Sequence, residues 1–214
     1  MKEYPILFSG EMVQAILDGR KTQTRRVIKL QTGKAAGIGE CHYSLSRHAY
    51  SNEDGSCTCQ PVKSPYGQPG DRLWVREKFA VVHGEGEKPT KDDYLIYATD
   101  ASQSVGVIDF VKAWRPSIFM PRVYSRITLE VASVRVERLQ DISDEDARKE
   151  GVQDICHCGD YIEVHGYHSG HSPTPMDGYA ANEFSILWDS INTKRGYPWE
   201  SNPWVWCISF KKIT

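Results

Sequence analysis

The stretch "RITLEVASVRVERLQDISDEDARKEG", Arg126 to Gly151, carries two structural periods in succession. Ile127, Leu129 and Val131 fall on every second residue, and Val134 and Val136 resume the alternation after Ala132 and Ser133. That spacing predicts a long strand with a bend or bulge in its middle. Behind it, Ser143 is a good helix N-cap, and Asp144 to Asp146 complement a helix N-terminus. Gly151 suits the left-handed residue that ends a helix, so a short helix follows the strand with Glu150 in its last turn.

Working outward, "NPWVWCISFKKI" reads as a closing strand with Trp204, Trp206, Ile208 and Phe210 on one face, and "GQPGDRLWVREKFA" as a turn followed by a strand. In that strand Leu73, Val75 and Glu77 share one face, and Trp74 and Arg76 the other. "DDYLIYATD" suggests a further strand. Helical spacing joins Met12, Val13, Ile16 and Leu17 behind a capping Ser9, and Phe184, Leu187, Trp188 and Ile191 near the C-terminus. Several strands with a few short helices and no regular strand-helix alternation place the chain in the α+β class, as a small barrel or mixed sheet.

The chain has 214 residues, 40% hydrophobic and 25% charged, a balance that fits one globular domain. Domain 1–214 is expected to carry irregular insertions at about 31–68 and 153–178, where Gly, Ser, Cys, His and Pro replace periodic apolar residues. No apolar run approaches the roughly 20 residues of a bilayer span, and a secretory signal is absent, so a cytoplasmic location without membrane partners is expected. The net charge of −2 hides an uneven distribution: residues 1–30 and 109–138 each hold six Lys/Arg against three Asp/Glu, whereas 139–183 hold two against ten. If the two basic stretches meet, they form a cationic groove beside an acidic flank.

"GRKTQTRR", Gly19 to Arg26, stands behind the first helix and is rich in β-branched and cationic residues; in a strand Thr22, Thr24 and Arg26 would share one face. It resembles the G-x-K-x-x-T-x-R signature of the ASCH domain, with Gly19, Lys21, Thr24 and Arg26 in the motif positions. The likeness extends to "PGDRLWVRE", to the strand-helix unit quoted first, and to the closing "NPWVWCISF". "ILFSGEMVQAILDGRKTQTRR" together with "WRPSIFMPRVYSRITLEV" looks most like the longer ASCH proteins of phages and prophages. The resemblance implies a PUA-like β-barrel core. Smaller bacterial members are N4-acetylcytidine amidohydrolases that use a Lys, a Thr and a Glu. Lys21 and Thr24 fall on the first two, and Glu150, at the end of the helix after the central strand, on the third.

Amide hydrolysis needs a nucleophile, a base and donors for the developing oxyanion. Thr24 is placed to attack the acyl carbonyl or to position a water, with neutral Lys21 as base. Glu150 would orient the lysine or protonate the leaving amine, and Arg26 would hold an oxyanion, ribose or phosphate oxygen. Glu77, Ser117, Arg122 and Arg126 are expected to line the substrate site. No nucleotide-binding glycine motif is present, and the chemistry calls for no cofactor. Two C-x-C pairs, Cys57/Cys59 and Cys156/Cys158, lie near histidines and invite structural zinc, although reduced free thiols are the preferred reading. The expected ligand is a modified nucleoside or RNA, so a non-catalytic RNA-binding module and an ASCH-type ribonuclease stand as alternatives to the amidohydrolase.

Overall fold

The computed structural model of the protein describes residues 1–29, 42–44, 49–51, 63–82, 94–103, 111, 113–152 and 179–213. Along the chain these form β1 (Glu3–Leu7), α1 (Gly10–Leu17), β2 (Gln23–Val27), β3 (His42–Ser44) and β4 (Ala49–Ser51). There follow β5 (Arg72–Arg76), β6 (Phe79–Val82), β7 (Tyr94–Tyr97), β8 (Thr128–Arg138), α2 (Asp144–Lys149), α3 (Tyr179–Asn192) and β9 (Trp204–Lys212).

The main sheet is mixed, in the order β1-β5-β8-β9-β2, and with the few short helices it makes the described fold α+β. Strand β8 is its spine, antiparallel to β5 on one side and to β9 on the other. The expected irregularity is present: the β8–β9 register shifts between Val131 and Ser133, so Ala132 is the extra residue that bends the strand. Strand β1, for which the sequence offered no clear alternation, adds itself parallel to β5 at one edge. Strand β2 forms the other edge, antiparallel to β9. The two edges approach one another, because Arg26 Nη2 on β2 donates to the Leu7 carbonyl on β1 at 2.6 Å. Two hairpins stand apart from this sheet, β3 with β4 and β6 with β7. The first lies inside the first expected insertion; the greater part of that insertion, and all of 153–178, fall outside the described residues.

One core lies between α1 and the sheet, where Val13 and Ile16 meet Ile6, Leu73, Leu129 and Ile208. A second lies against α2 and α3 and contains Ala147, Phe184, Trp188 and Val205. Strand β9 therefore differs from the one-faced strand expected of it. Trp206 and Ile208 enter the first core and Val205 the second, so both faces are covered and the run from Val205 to Ile208 is buried throughout. Burial on both faces also accounts for Cys207, whose thiol is pushed up to about 12 and stays protonated. No helix among the described residues is long and apolar enough to cross a membrane.

Candidate active site

Both helices that bracket the site are capped as their sequences direct: Ser9 Oγ accepts from the Met12 amide at 3.4 Å and Ser143 Oγ from the Asp146 amide at 3.2 Å. Just past the end of α1, Gly19 has a φ of 76° and turns the chain back so that the Lys21 amide bonds the Ala15 carbonyl at 2.9 Å. The next amide, of Thr22, bonds the Lys149 carbonyl at the end of α2, also at 2.9 Å. Lys21 is thereby placed between two helix ends before β2 begins at Gln23. Gly151 completes the approach. Its φ is 91°, and a Cβ there would lie 3.0 Å from the Ala15 Cβ and 3.1 Å from the Lys21 Cβ, so only glycine leaves room for the lysine stem.

At this junction the Lys21 side chain is fully buried, and its Nζ donates to the Glu150 Oε2 at 2.7 Å and to the Glu150 carbonyl at 2.7 Å. The two residues stand 129 positions apart in the chain. Burial pushes the Lys21 ammonium below its ordinary range; the Glu150 carboxylate works against that shift, and the neighbouring Arg26 and Arg25 charges add to it. The Phe8 ring, 5.8 Å from Nζ, forms an apolar wall on the same junction.

A cleft of about 1470 Å³ opens beside the pair, and Thr24, Arg26, Glu150 and Ser117 all line it. Thr24 pairs with Ile208 of β9, which fixes its height on the strand. Arg26 stacks over Phe8 at 5.1 Å, and its Nε has no hydrogen-bond partner among the described residues. The far wall comes from α3, through residues such as Leu187 and Trp188. On the rim Arg76 stacks over Trp74 at 4.6 Å and Arg138 over Trp204 at 4.3 Å.

The cleft thus gathers Thr24, Arg26, Ser117 and Glu150, and Lys21, which does not itself line it, joins them through its bonds to Glu150. The structure places three other expected residues elsewhere, in ion pairs. Glu77, only 1% exposed, accepts from Arg126 through two bonds of 3.0 Å, and Arg126 continues to Asp100 at 2.6 Å while stacking on Tyr97. Once β5 ends at Arg76, Glu77 turns into this cluster instead of continuing on the face of Leu73 and Val75. Arg122 pairs with Glu3 at 2.8 Å on the exposed side of β1. Thr22, expected to share the working face, is exposed ahead of the strand. Conversely Arg25, one position off the motif, is buried at the centre of the site's ion pairs; the two like charges of "TRR" gave no sign of which arginine turns inward. Cys41, the two C-x-C pairs and the histidines of the second insertion lie outside the described residues.

No family model and no curated protein matches the chain. Among solved structures it is similar to one from Lactobacillus crispatus JV V101, at 13% identity and a TM-score of 0.37, over 99% of this chain and 79% of that one. That neighbour is an ASCH domain. A likeness at this identity assigns no residue or activity, and the site rests on its own geometry.

Proposed function

We propose that the protein is an amidohydrolase that removes an acyl group from a modified cytosine nucleoside of the N4-acetylcytidine type, on a curled sheet of the PUA-like barrel kind. The observation that carries this reading is the buried Lys21 Nζ held by two oxygens of Glu150, a residue that lines the cleft together with Thr24. A neutral lysine amine has two N–H donors and one lone pair. The two bonds to Glu150 use both donors and leave the lone pair as the acceptor for the Thr24 hydroxyl proton.

Thr24 Oγ then attacks the acyl carbonyl carbon as Lys21 takes its proton, and the C=O pair moves to oxygen. Arg26, two residues on along the same strand and lining the same cleft, is the donor for that oxyanion through its guanidinium. Collapse breaks the C–N bond; the exocyclic amine leaves with the proton from the Lys21 ammonium. Water, deprotonated by Lys21 in its turn, hydrolyses the threonine ester and releases the carboxylic acid. Depression of the lysine by burial serves both halves, since the base must be free of its proton for part of the time at working pH.

A second reading has its own support. The cleft exceeds the roughly 300–1,000 Å³ of common small-molecule pockets, and cations stacked on aromatic rings at its rim suit a polyanion whose bases stack, as in an RNA-binding module. Lys21→Arg separates the two. Arginine keeps the cation but is not deprotonated at working pH, so release of cytidine from N4-acetylcytidine is expected from the wild type and lost in the variant, with nucleoside binding retained. No release from either protein, with salt-dependent RNA affinity in both, would replace the enzyme by the module.

A further inference from the structure

Arg25 lies on β2 between the proposed nucleophile and oxyanion donor, and its side chain is fully buried and surrounded by carboxylates. Its Nη1 is 3.1 Å from the Glu150 Oε1, and its Nη2 is 2.5 Å from the Glu137 Oε1 and 3.2 Å from the Asp146 Oδ2. Arg135 closes the arrangement from β8, reaching Glu137 Oε2 at 2.9 Å and also pairing with Asp146. The guanidinium stands 5.8 Å from the Phe184 ring, so α3 covers the network from outside.

We infer that Arg25 is the positioning residue of the site: it shares the Glu150 carboxylate with Lys21, holding Oε1 while Lys21 holds Oε2, and so governs when Lys21 can act as a base. The inference rests on the amidohydrolase reading for its consequence in catalysis, but the coupling itself is a property of the ion network.

The direction of the effect follows from the pairing. A carboxylate that answers two buried cations stabilises each of them less than one it answered alone. With Arg25 in place Glu150 keeps its orientation but holds the Lys21 proton less firmly. The outer acids act in the opposite sense: Glu137 and Asp146 occupy Nη2 and reduce the positive charge that Arg25 brings to Glu150. The other charged groups around the network are Arg26 on β2, Arg135 on β8 and Lys149, 3.6 Å from Asp146 on α2, all cationic through the relevant range. Cys207 on β9, the remaining titratable neighbour of Arg25, stays protonated until about 12.

The test is the pH profile of kcat with N4-acetylcytidine for the wild type, Arg25→Gln and Asp146→Asn, with a parallel 15N NMR titration of the Lys21 side chain, assigned by its loss in Lys21→Arg. Arg25→Gln is expected to move the acid limb and the Lys21 midpoint to higher pH, with kcat at neutral pH falling about tenfold or more. Asp146→Asn, which leaves Arg25 in place and alters a partly exposed acid, moves both to lower pH. If Arg25→Gln does not fold, Asp146→Asn and Glu137→Gln carry the test. Midpoints that stay at the wild-type pH overturn the inference, because a purely structural role lowers stability without displacing a titration. Opposite displacements of Lys21 in a protein without turnover uphold the coupling and remove the amidohydrolase reading.

Discussion

Glu150→Gln replaces the buried carboxylate by a group of the same shape that keeps an acceptor but no charge. In the native protein its side chain is 3% exposed and that of Lys21 fully buried, so the ammonium has no water to turn to. Removing one partner of a buried ion pair costs about 3–5 kcal/mol. Because glutamine retains an oxygen for Nζ, and Arg25 keeps Glu137 and Asp146, the lower end of about 3 kcal/mol applies. For a chain of this length that is a fall of about 6–12 °C in Tm. The pH dependence has a defined sign. The carboxylate raises the Lys21 proton affinity against burial, so its loss lowers the folded-state value further below that of the unfolded chain. Between the two values the unfolded state binds more protons, and stability rises with pH. The deficit of the variant should therefore be largest near pH 6 and shrink as pH climbs toward the unfolded lysine value of about 10.4. Urea denaturation of both proteins across that range measures it. A deficit under about 1 kcal/mol that does not change with pH would mean that Lys21 is solvated and the pair is not buried.

Gly151→Ala forces a Cβ into φ 91° and to within 3.1 Å of the Lys21 stem, so it should cost about 2 kcal/mol or more and reduce kcat, measured by denaturation and by cytidine release. Arg126→Met strands Glu77, 1% exposed, in the cluster with Thr99 and Asp100. About 3 kcal/mol of stability should be lost while the KM for N4-acetylcytidine holds, and a raised KM would return Arg126 to the substrate site. Cys207, with its thiol pushed up to about 12 by burial, should resist iodoacetamide near neutral pH in the folded protein and label on unfolding, as read by peptide mass.

What the sequence determined by itself was local. Alternation from Ile127 to Val136, the break at Ala132, the serine caps of α1 and α2 and the glycine stops at Gly19 and Gly151 all depend on residues within a turn or a pleat of one another, and each occurs where its spacing implies. Lys21, Thr24 and Arg26 could be singled out as candidates because they lie on one short segment that resembles a known signature. Which charges would be buried was not legible. Lys21 meets a carboxylate 129 positions away only because two helix ends and a glycine without a side chain converge there. Arg25 and Arg26 look alike in the chain, but the β9 pairing and the helices behind it send one into a nest of acids and set the other over Phe8, bonded to the Leu7 carbonyl. Glu77 and Arg126 were drawn from the substrate site into each other's reach by the same tertiary choice. A side chain's period sets the face it points to; what waits on that face, water, a partner or a ligand, is decided by the packing of segments that the sequence holds far apart.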